Sequence, residues 1–469
     1  MKKWFAVFLL LSLLLSLCAC GGDTAPETQP AAQGLQVGFG RVQIMPQSSV
    51  PLAGYPNSTS RMSTGYRDYL YMTCLAFTEG EETVLLFTQD LFKSEKSWVS
   101  QARSAIENAT GIPGEKILIC ATHNHAGPDT SSSHSAIAAY KTLYMNAAVS
   151  AAQAALEDRA AAKLYSTVTQ TDKLNYPRHY KLSDGSYGGD VFGDFSKNTI
   201  EGYANAGDPT MLLVKADREG DKQDVLIMNW QVYPCVMGVS ADTNLSADFI
   251  GFARSHVEQE TGMLCAYFNG AAGDIKPDSR INADRHYLSD VDYSKAVAQC
   301  AIDALPGLTS LEGTGVSSGT MELTYAVNHD DAQLLPQARE VVELAKTATS
   351  ETADKRAKEL GLFSIYHAQQ IVNRQTRPQT DTMELSVVKA GGMAFVTAPY
   401  EMFSQSGVYI RENSPFAATM ICSCSNAYHG NFATQEAYEY NSYESYTNYF
   451  AKGCAEAAAE AFVQLLKGL

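Results

Sequence analysis

The chain has 469 residues, of which 45% are hydrophobic and 18% are charged, and its formal net charge is −16. That hydrophobic share is typical of globular proteins and argues against a disordered or fibrous chain. An acidic surface repels phosphate backbones, and no basic run interrupts it. We therefore expect no nucleic-acid partner.

The N-terminus has the pattern of a targeting segment. Two lysines precede an apolar stretch, 4–17, which is short for a membrane span and typical of a signal peptide. It ends in LCAC, which resembles a bacterial lipobox with Cys20 as the acylated residue. We expect residues 1–19 to be a lipoprotein signal peptide, with an ordinary secretory signal as the alternative, and 20–34 to be a flexible tether. Residues 35–469 then form one domain, lipid-anchored at the extracytoplasmic face of the cell membrane.

Along this domain, short β-rich runs alternate with helical patterns. The strand-like runs are 35–44, 83–90, 116–122, 210–217, 224–232 and 262–268. The helical patterns lie near 96–110, 135–158, 247–261, 288–304, 330–348, 351–374 and 454–467, with another from about 402. A hairpin is expected around Gly391-Gly392. This alternation predicts an α/β fold with mixed α+β layers.

Eight cysteines follow Cys20. Several lie in apolar, strand-like runs such as ILICAT and MICSCS, and no CxxC spacing occurs. Buried thiols are the favoured interpretation and disulfides the alternative, and a cysteine zinc site has no support.

The segment ICATHNHAGPD, 119–129, carries the clearest chemical signal. An apolar strand runs into His123 and His125, and Gly127-Pro128 then turns the chain. In an extended segment residues i and i+2 project to the same side, so both imidazoles are expected to face one cavity. Such a pair is suited to holding a metal or to placing a ligand beside a proton donor.

Two later segments add polar residues where predicted strands end. One strand ends at Tyr233-Pro234 before a loop with Asp242, and another enters a Gly-rich turn with Asp274. Each of these aspartates alone would be an ordinary turn residue. Together with THNH the segments form a series of strand-to-loop transitions that would line one rim.

The ordered series of motifs resembles the neutral/alkaline, non-lysosomal ceramidases over about 36–468. The segments that carry the resemblance are VGFGRVQIMP, THNHAGP, NWQVYPC with LSADF, NGAAGDIKP, APYEMF and NAYHGNFATQEAYEYNSYE. The resemblance implies the catalytic domain of that family, with mixed β-sheets covered by helices. It also leads us to expect no C-terminal immunoglobulin-like domain.

The resemblance further implies a zinc site and a set of roles. His123 and Glu401 match zinc ligands, and the two other ligand positions fall on Tyr233 and Asn431. A phenol and a neutral amide replace a histidine and a tyrosine there, which weakens the expected Zn²⁺ site. His429 could compensate if its loop is shifted.

Four more residues take roles from the same resemblance. His125 matches the histidine that assists proton transfer, Tyr443 matches an active-site tyrosine, and Arg178 matches an arginine that binds the polar end of the substrate. The nucleophilic serine falls on Lys276, which would stabilise an oxyanion or a carboxylate. A salt bridge from Lys276 to Asp274 or Asp278 is the structural alternative.

These features predict a metal-dependent hydrolase that cleaves an amide bond of an N-acyl sphingoid or related lipid. The substrate is expected to be a small molecule or a lipid, and a metal-bound water would replace the missing serine. The alternative is a catalytically degenerate lipoprotein of the same fold that binds a ligand or a surface. An exported solute-binding lipoprotein would explain the tether and the acidic surface but not THNH.

The expected anchor is tested by removing the acylated thiol. Cys20→Ala should move the protein from the membrane fraction to the soluble fraction, because no acyl chain would then hold it to the bilayer. Cell fractionation and immunoblotting measure this, with Cys18→Ala as the matched control. If Cys20→Ala remained in the membrane fraction like the control, the lipobox interpretation would be wrong.

Overall fold

The computed structural model describes residues 34–55, 61–171, 173–189, 192–236, 242–277 and 290–469. Cys20, the signal peptide and nearly all of the tether lie outside these ranges. The α-helices of the described residues are α1 (Lys96–Thr110), α2 (Ser135–Glu157), α3 (Asp248–Thr261), α4 (Asp290–Ala304), α5 (Leu335–Leu344), α6 (Ser350–Glu359), α7 (Ile365–Gln375), α8 (Ser404–Asn413), α9 (Tyr443–Thr447) and α10 (Cys454–Lys467).

The strands, numbered in chain order, include many short pairs that border the larger sheets. They are β1 (Gln36–Gln43), β2 (Gly65–Tyr66), β3 (Tyr71–Glu79), β4 (Glu82–Gln89), β5 (Ile117–Ala121), β6 (Ala160–Gln170), β7 (Tyr176–Pro177), β8 (His179–Leu182), β9 (Tyr187–Gly189), β10 (Ile200–Tyr203), β11 (Thr210–Arg218), β12 (Val225–Trp230), β13 (Asn244–Leu245), β14 (Leu264–Asn269), β15 (Ile275–Lys276), β16 (Thr309–Ser310), β17 (Val316–Ala326), β18 (Thr380–Ala390), β19 (Met393–Thr397), β20 (Glu401–Met402), β21 (Ala418–Cys422) and β22 (Asn431–Phe432).

Two large sheets form the centre of the fold. One has the strand order β14-β12-β11-β6-β1-β3-β4-β5, with β16 paired to β6, and the other has the order β17-β18-β19-β21. Both contribute to one apolar core, in which the Phe395 ring lies 5.8 Å from the Phe77 ring and 5.7 Å from the Phe268 ring. The mixed α/β architecture expected from the sequence is therefore present.

Helices cover the remaining faces of both sheets. α1 and α2 pack on β1 and β3–β5, and α3 and α4 pack on β11, β12 and β14. α8 and α10 cover the four-stranded sheet. The glycines of β1 allow a close approach, because a Cβ at Gly38 would collide with the carbonyl oxygen of Ala155 in α2. No helix within the described ranges combines the length and apolar character needed to cross a bilayer.

The structure corrects one expected helix and confirms one expected hairpin. The single helical stretch expected over 351–374 is two helices, α6 and α7, because Gly361 takes a left-handed φ of +80° between them. The hairpin around Gly391-Gly392 is confirmed by the pairing of β18 with β19. Cys74, Cys120, Cys265, Cys422 and Cys424 are buried thiols, which agrees with the favoured interpretation of the cysteines.

Asp68 joins the loop before β3 to the start of α3. Its carboxylate accepts hydrogen bonds from the Ser246 hydroxyl and from the backbone N–H of Ala247 at 3.2 Å. Burial, reinforced by the charge of Asp90, raises the pKa of Asp68 to about 7 from its ordinary value of 3.8. The folded protein therefore keeps a proton that the unfolded chain loses between these two pH values.

The free energy of unfolding should therefore fall as the pH rises from about 4 to about 7. The reason is that the folded state binds the Asp68 proton more tightly than the unfolded chain does. Each tenfold change in proton affinity corresponds to about 1.4 kcal/mol, and partial exposure of Asp68 reduces the expected loss to about 2 kcal/mol. Asp68→Asn should flatten the pH dependence of the free energy of unfolding measured in urea. The exposed control Asp221→Asn should retain it, and equal slopes in the two variants would contradict this account.

Candidate functional site

The candidate site lies where strands of both sheets give way to loops. His123 follows β5, Tyr233 follows β12, and Glu401 begins β20 soon after β19 ends. The edge strands β5 and β14 meet there, since Asn269 donates its side-chain N–H to the carbonyl of Thr122 at 2.9 Å. The loops that follow β5 and β12 and the start of β20 therefore lie at one rim of the sheets, as the sequence leads us to expect for the ends of strands.

His123 is held in a strained backbone conformation with φ of +66°. The strand ends at Ala121, so THNH is not the extended segment expected from its sequence. The rings of His123 and His125 nevertheless lie 5.3 Å apart, edge to face. A turn, rather than strand alternation, brings the two imidazoles together.

Both ring nitrogens of His123 have neighbours. Nδ1 lies 2.8 Å from the carbonyl oxygen of Phe92 and 3.5 Å from the Cys424 sulfur, and Nε2 lies 3.4 Å from Oε2 of Glu401. Because a carbonyl only accepts, Nδ1 carries a proton. Burial opposes the charged imidazole, but Glu401 and Cys424 together outweigh it and raise the pKa of His123 well above its usual range.

Glu401 is the centre of the cluster. The phenol of Tyr233 donates to Oε2 and the phenol of Tyr428 donates to Oε1. Burial opposes ionisation of the carboxyl, but His123 and the two phenols lower its pKa overall. The carboxylate is thus surrounded by three donors drawn from three separate loops. We call Glu401, His123, Tyr233 and Tyr428 the Glu401 cluster.

His125 is half-buried, and its two ring nitrogens are buried without a hydrogen-bond partner among the described residues. Its ring packs edge-on against Tyr55 at 5.1 Å and Tyr233 at 5.9 Å. Gly54 makes room for it, since a Cβ there would collide with the imidazole. Burial lowers the pKa of His125 well below its usual range, and the positive charges of His123 and Lys276 add to this.

Arg178 and His179 share one buried carboxylate, Glu444. An Arg178 guanidinium nitrogen lies 2.9 Å from Oε1 of Glu444, and Nε2 of His179 lies 2.8 Å from Oε2. Burial opposes the ionised carboxyl, but Arg178 and His179 lower the pKa of Glu444 to about 2. The guanidinium carbon of Arg178 lies 5.6 Å from the Tyr233 ring, so this group borders the Glu401 cluster.

Lys276 lies in β15, which pairs with β7 beside Arg178. Its ammonium nitrogen is 3.9 Å from the sulfur of Cys235. The Asp274 carboxylate, one alternative partner, accepts hydrogen bonds from the Ser404 backbone N–H at 2.7 Å and hydroxyl at 2.9 Å. Asp278, the other alternative, lies outside the described residues.

Asn431 and Tyr443 lie at the border of the cluster. Asn431 pairs with Glu401 across β20 and β22, and its amide N–H donates to the Thr447 hydroxyl at 3.1 Å. Its amide oxygen has no hydrogen-bond partner among the described residues. Tyr443 stacks on Tyr366 at 5.8 Å, and burial together with neighbouring charges raises its pKa.

Tyr428 is the contact that the sequence did not predict. The sequence suggests that its neighbour His429 could act as a replacement metal ligand. The His429 ring instead packs against the Phe450 ring, with the two centres 5.5 Å apart. Burial lowers the pKa of His429 to about 4, and the charged groups that act on it are Asp381, Lys96 and Arg377. The many tyrosines of 426–444 indicate that some phenol lies near the site. The sequence does not show which of these phenols contacts Glu401.

The residues present make a poor zinc site. Protein zinc sites use thiolates, imidazoles and carboxylates, whereas the Glu401 cluster offers one imidazole, one carboxylate and two phenols. Burial and the adjacent Glu401 raise the pKa of both phenols, which keeps them protonated. Within the described ranges, no group of three or more His, Cys, Asp or Glu side chains is arranged to hold a metal. Zinc binding therefore remains a prediction that depends on the resemblance to neutral ceramidases.

Comparison with known proteins finds solved structures of similar fold. No family model matches the chain, and no curated protein matches its sequence. A crystal structure of neutral ceramidase from Pseudomonas aeruginosa is similar, with a TM-score of 0.69 at 16% identity over 93% of this chain and 74% of that one. A ceramidase complexed with C2 is similar at the same TM-score, with 15% identity over 93% of this chain and 75% of that one. The chain therefore has a ceramidase-like fold.

Proposed function

We propose that this protein is a hydrolase that cleaves the amide bond of an N-acyl sphingoid or a related acylated lipid. The observation that carries the proposal is His125 beside the Glu401 cluster, since its two buried ring nitrogens have no hydrogen-bond partner among the described residues. A buried polar group without a partner is costly and marks a place where a ligand or reacting water supplies the missing bond. The ceramidase-like fold supports the choice of an acyl amide.

The chemistry follows from the groups around His125. Its imidazole would accept a proton from water as the water oxygen attacks the carbonyl carbon. Arg178 would stabilise the developing oxyanion, since its guanidinium carbon lies 5.6 Å from the Tyr233 ring that packs against His125, and Lys276 would add a second positive charge. The C–N bond then breaks, and His125 returns the proton to the leaving amine. No step requires a serine at position 276.

Arg178 would also hold the polar end of the substrate. Its guanidinium is oriented by Glu444, and Glu444 is itself fixed by His179. Orienting a cation with a buried carboxylate reduces the cost of ordering it when the substrate binds. We further propose that the protein is exported and anchored through Cys20, which would place it at a membrane surface where acylated lipids are found.

A second candidate is supported by Lys276 and by Glu401. A lysine stands where the resemblance places the nucleophile, and both Glu401 oxygens already accept hydrogen bonds from phenols. These features favour a protein that binds an acylated ligand without cleaving it.

Release of fatty acid from a short-chain N-acylsphingosine separates the two candidates. The wild-type protein should release fatty acid, and His125→Gln should reduce kcat by about 100-fold or more, because general acid–base catalysis contributes about 10²–10⁴-fold. The exposed control His134→Gln should retain activity. Binding of the lipid without any release by the wild type would contradict the hydrolase and support the binding protein.

A further inference from the structure

Two tyrosines lie exposed on β2 and on the loop that follows it. Tyr66 is 56% exposed and Tyr69 is 45% exposed, and their rings stack with centres 5.3 Å apart. Single exposed aromatic side chains are common on protein surfaces, but two stacked rings form a continuous apolar patch. We call these two side chains the tyrosine pair.

The backbone that carries the tyrosine pair is fixed by its neighbours. β2 pairs with β13, and the N–H of Arg67 donates to the carbonyl of Leu245 at 2.8 Å. Asp68 accepts a hydrogen bond from the Ser246 hydroxyl at the start of α3. The rings are therefore presented by an ordered segment, which lowers the entropic cost of burying them against a partner.

The same segment connects the tyrosine pair to the candidate site. Arg61 donates to the backbone carbonyl of His125 at 3.0 Å and to that of Asp242 at 2.9 Å. The Asp242 carboxylate accepts a hydrogen bond from Nε of Arg67 at 2.9 Å. One aspartate therefore links the arginine that contacts His125 to the arginine between the two rings. The patch borders the site.

Charge distinguishes among the lipid surfaces that the patch could meet. Arg67, the exposed charged residue between the rings, forms an ion pair with Asp242, so these two charges cancel. The chain as a whole carries a net charge of −16, which is repelled by anionic lipids. A contact with lipid therefore depends on burial of the rings and favours a zwitterionic surface.

The area of the patch distinguishes lipid from protein. About half of each ring is accessible, which gives roughly 200 Å² in total, whereas each partner in a stable protein interface buries about 800 Å². Tyrosine side chains favour the boundary between lipid headgroups and acyl chains, where the ring is buried and the hydroxyl stays hydrated. A bilayer surface fits a small, exposed pair of phenols better than a protein does.

We propose that the tyrosine pair docks the protein on the surface of a zwitterionic lipid bilayer, beside the opening of the site. This rests on the proposed function, since an enzyme that cleaves an acylated lipid meets its substrate in a bilayer. Both rings enter the interfacial region, while Arg67 and Asp242 remain at the level of the headgroups. An N-terminal anchor alone leaves the orientation of the protein free, whereas a second contact beside the site fixes it.

Sedimentation with phosphatidylcholine vesicles tests the contact. The Cys20→Ala chain is the parent throughout, so that no acyl anchor contributes to binding. Tyr66→Ser combined with Tyr69→Ser should lower the vesicle partition coefficient about 10-fold, because the accessible half of each ring is no longer buried in lipid. Tyr66→Phe combined with Tyr69→Phe should retain binding. The control Tyr409→Ser, which removes a 42% exposed ring from α8, should bind like the parent.

Two further measurements keep folding and catalysis separate from docking. Circular dichroism establishes that each variant is folded. If the double serine variant does not fold, Tyr69→Ser alone should lower the partition coefficient about 3-fold, since Tyr69 lies outside β2. Release of fatty acid from a soluble short-chain N-acylsphingosine should be unchanged in these variants, whereas release from N-acylsphingosine in vesicles should fall with the partition coefficient.

Four results would overturn the inference. The first two are equal partition of the folded serine variant and the Tyr409→Ser control, and no vesicle binding by the Cys20→Ala parent. Tighter binding to phosphatidylglycerol than to phosphatidylcholine would assign the contact to charge rather than to the rings. Self-association that the serine variant loses, measured by analytical ultracentrifugation without vesicles, would assign the tyrosine pair to a protein interface.

None of these results depends on hydrolysis. A parent chain that binds vesicles through the tyrosine pair but releases no fatty acid would contradict the proposed hydrolase and leave the docking surface standing. Failure of the inference is therefore distinct from failure of the proposed function.

Discussion

The buried carboxylate of Glu401 is the constraint around which the site is organised. Moving an ionised carboxylate out of water costs several kcal/mol unless its oxygens are fully engaged. Here Tyr233 engages one oxygen, Tyr428 engages the other, and His123 adds a positively biased imidazole. Each partner comes from a different strand end, so the charge of one side chain fixes the relative positions of loops far apart in sequence.

The same principle operates a second time beside the cluster. Glu444 is also buried and ionised, and Arg178 and His179 satisfy its two oxygens. Two anchored carboxylates therefore face a region that holds Arg178, Lys276 and His125, whose ring nitrogens have no hydrogen-bond partner in the described part of the chain. An acidic protein has concentrated cationic groups at one internal site, and under the proposed function these groups would stabilise the negative charge that develops during amide cleavage.

Much of the fold could be predicted from the sequence because its elements carry clear periodic signals. The helices at 96–110 and 454–467 and the hairpin at Gly391-Gly392 have the expected boundaries. β6 was not predicted, since its sequence AAAKLYSTVTQ is about half polar and its longest apolar run is three alanines, a residue that is depleted in strands. It becomes a strand because β11 pairs with it along nine positions.

The site was less predictable because it depends on loop geometry. The sequence identified His123, His125, Glu401 and Tyr233, and the structure brings them close together. The sequence does not predict the left-handed turn at His123. It also does not show whether Tyr428 or His429 contacts Glu401, because adjacent side chains in a loop can face either way. That choice is set by where Glu401 lies, and Glu401 is distant in the chain.

Coupling between Glu401 and Tyr428 tests the central claim most directly. A double-mutant cycle with Glu401→Gln and Tyr428→Phe, read as free energies of unfolding in urea, measures whether the two side chains act as a unit. The account predicts an interaction energy of about 1 kcal/mol or more, within the range found for residues in one hydrogen-bonded network. Additivity within about 0.3–0.5 kcal/mol, as for distant independent sites, would contradict it.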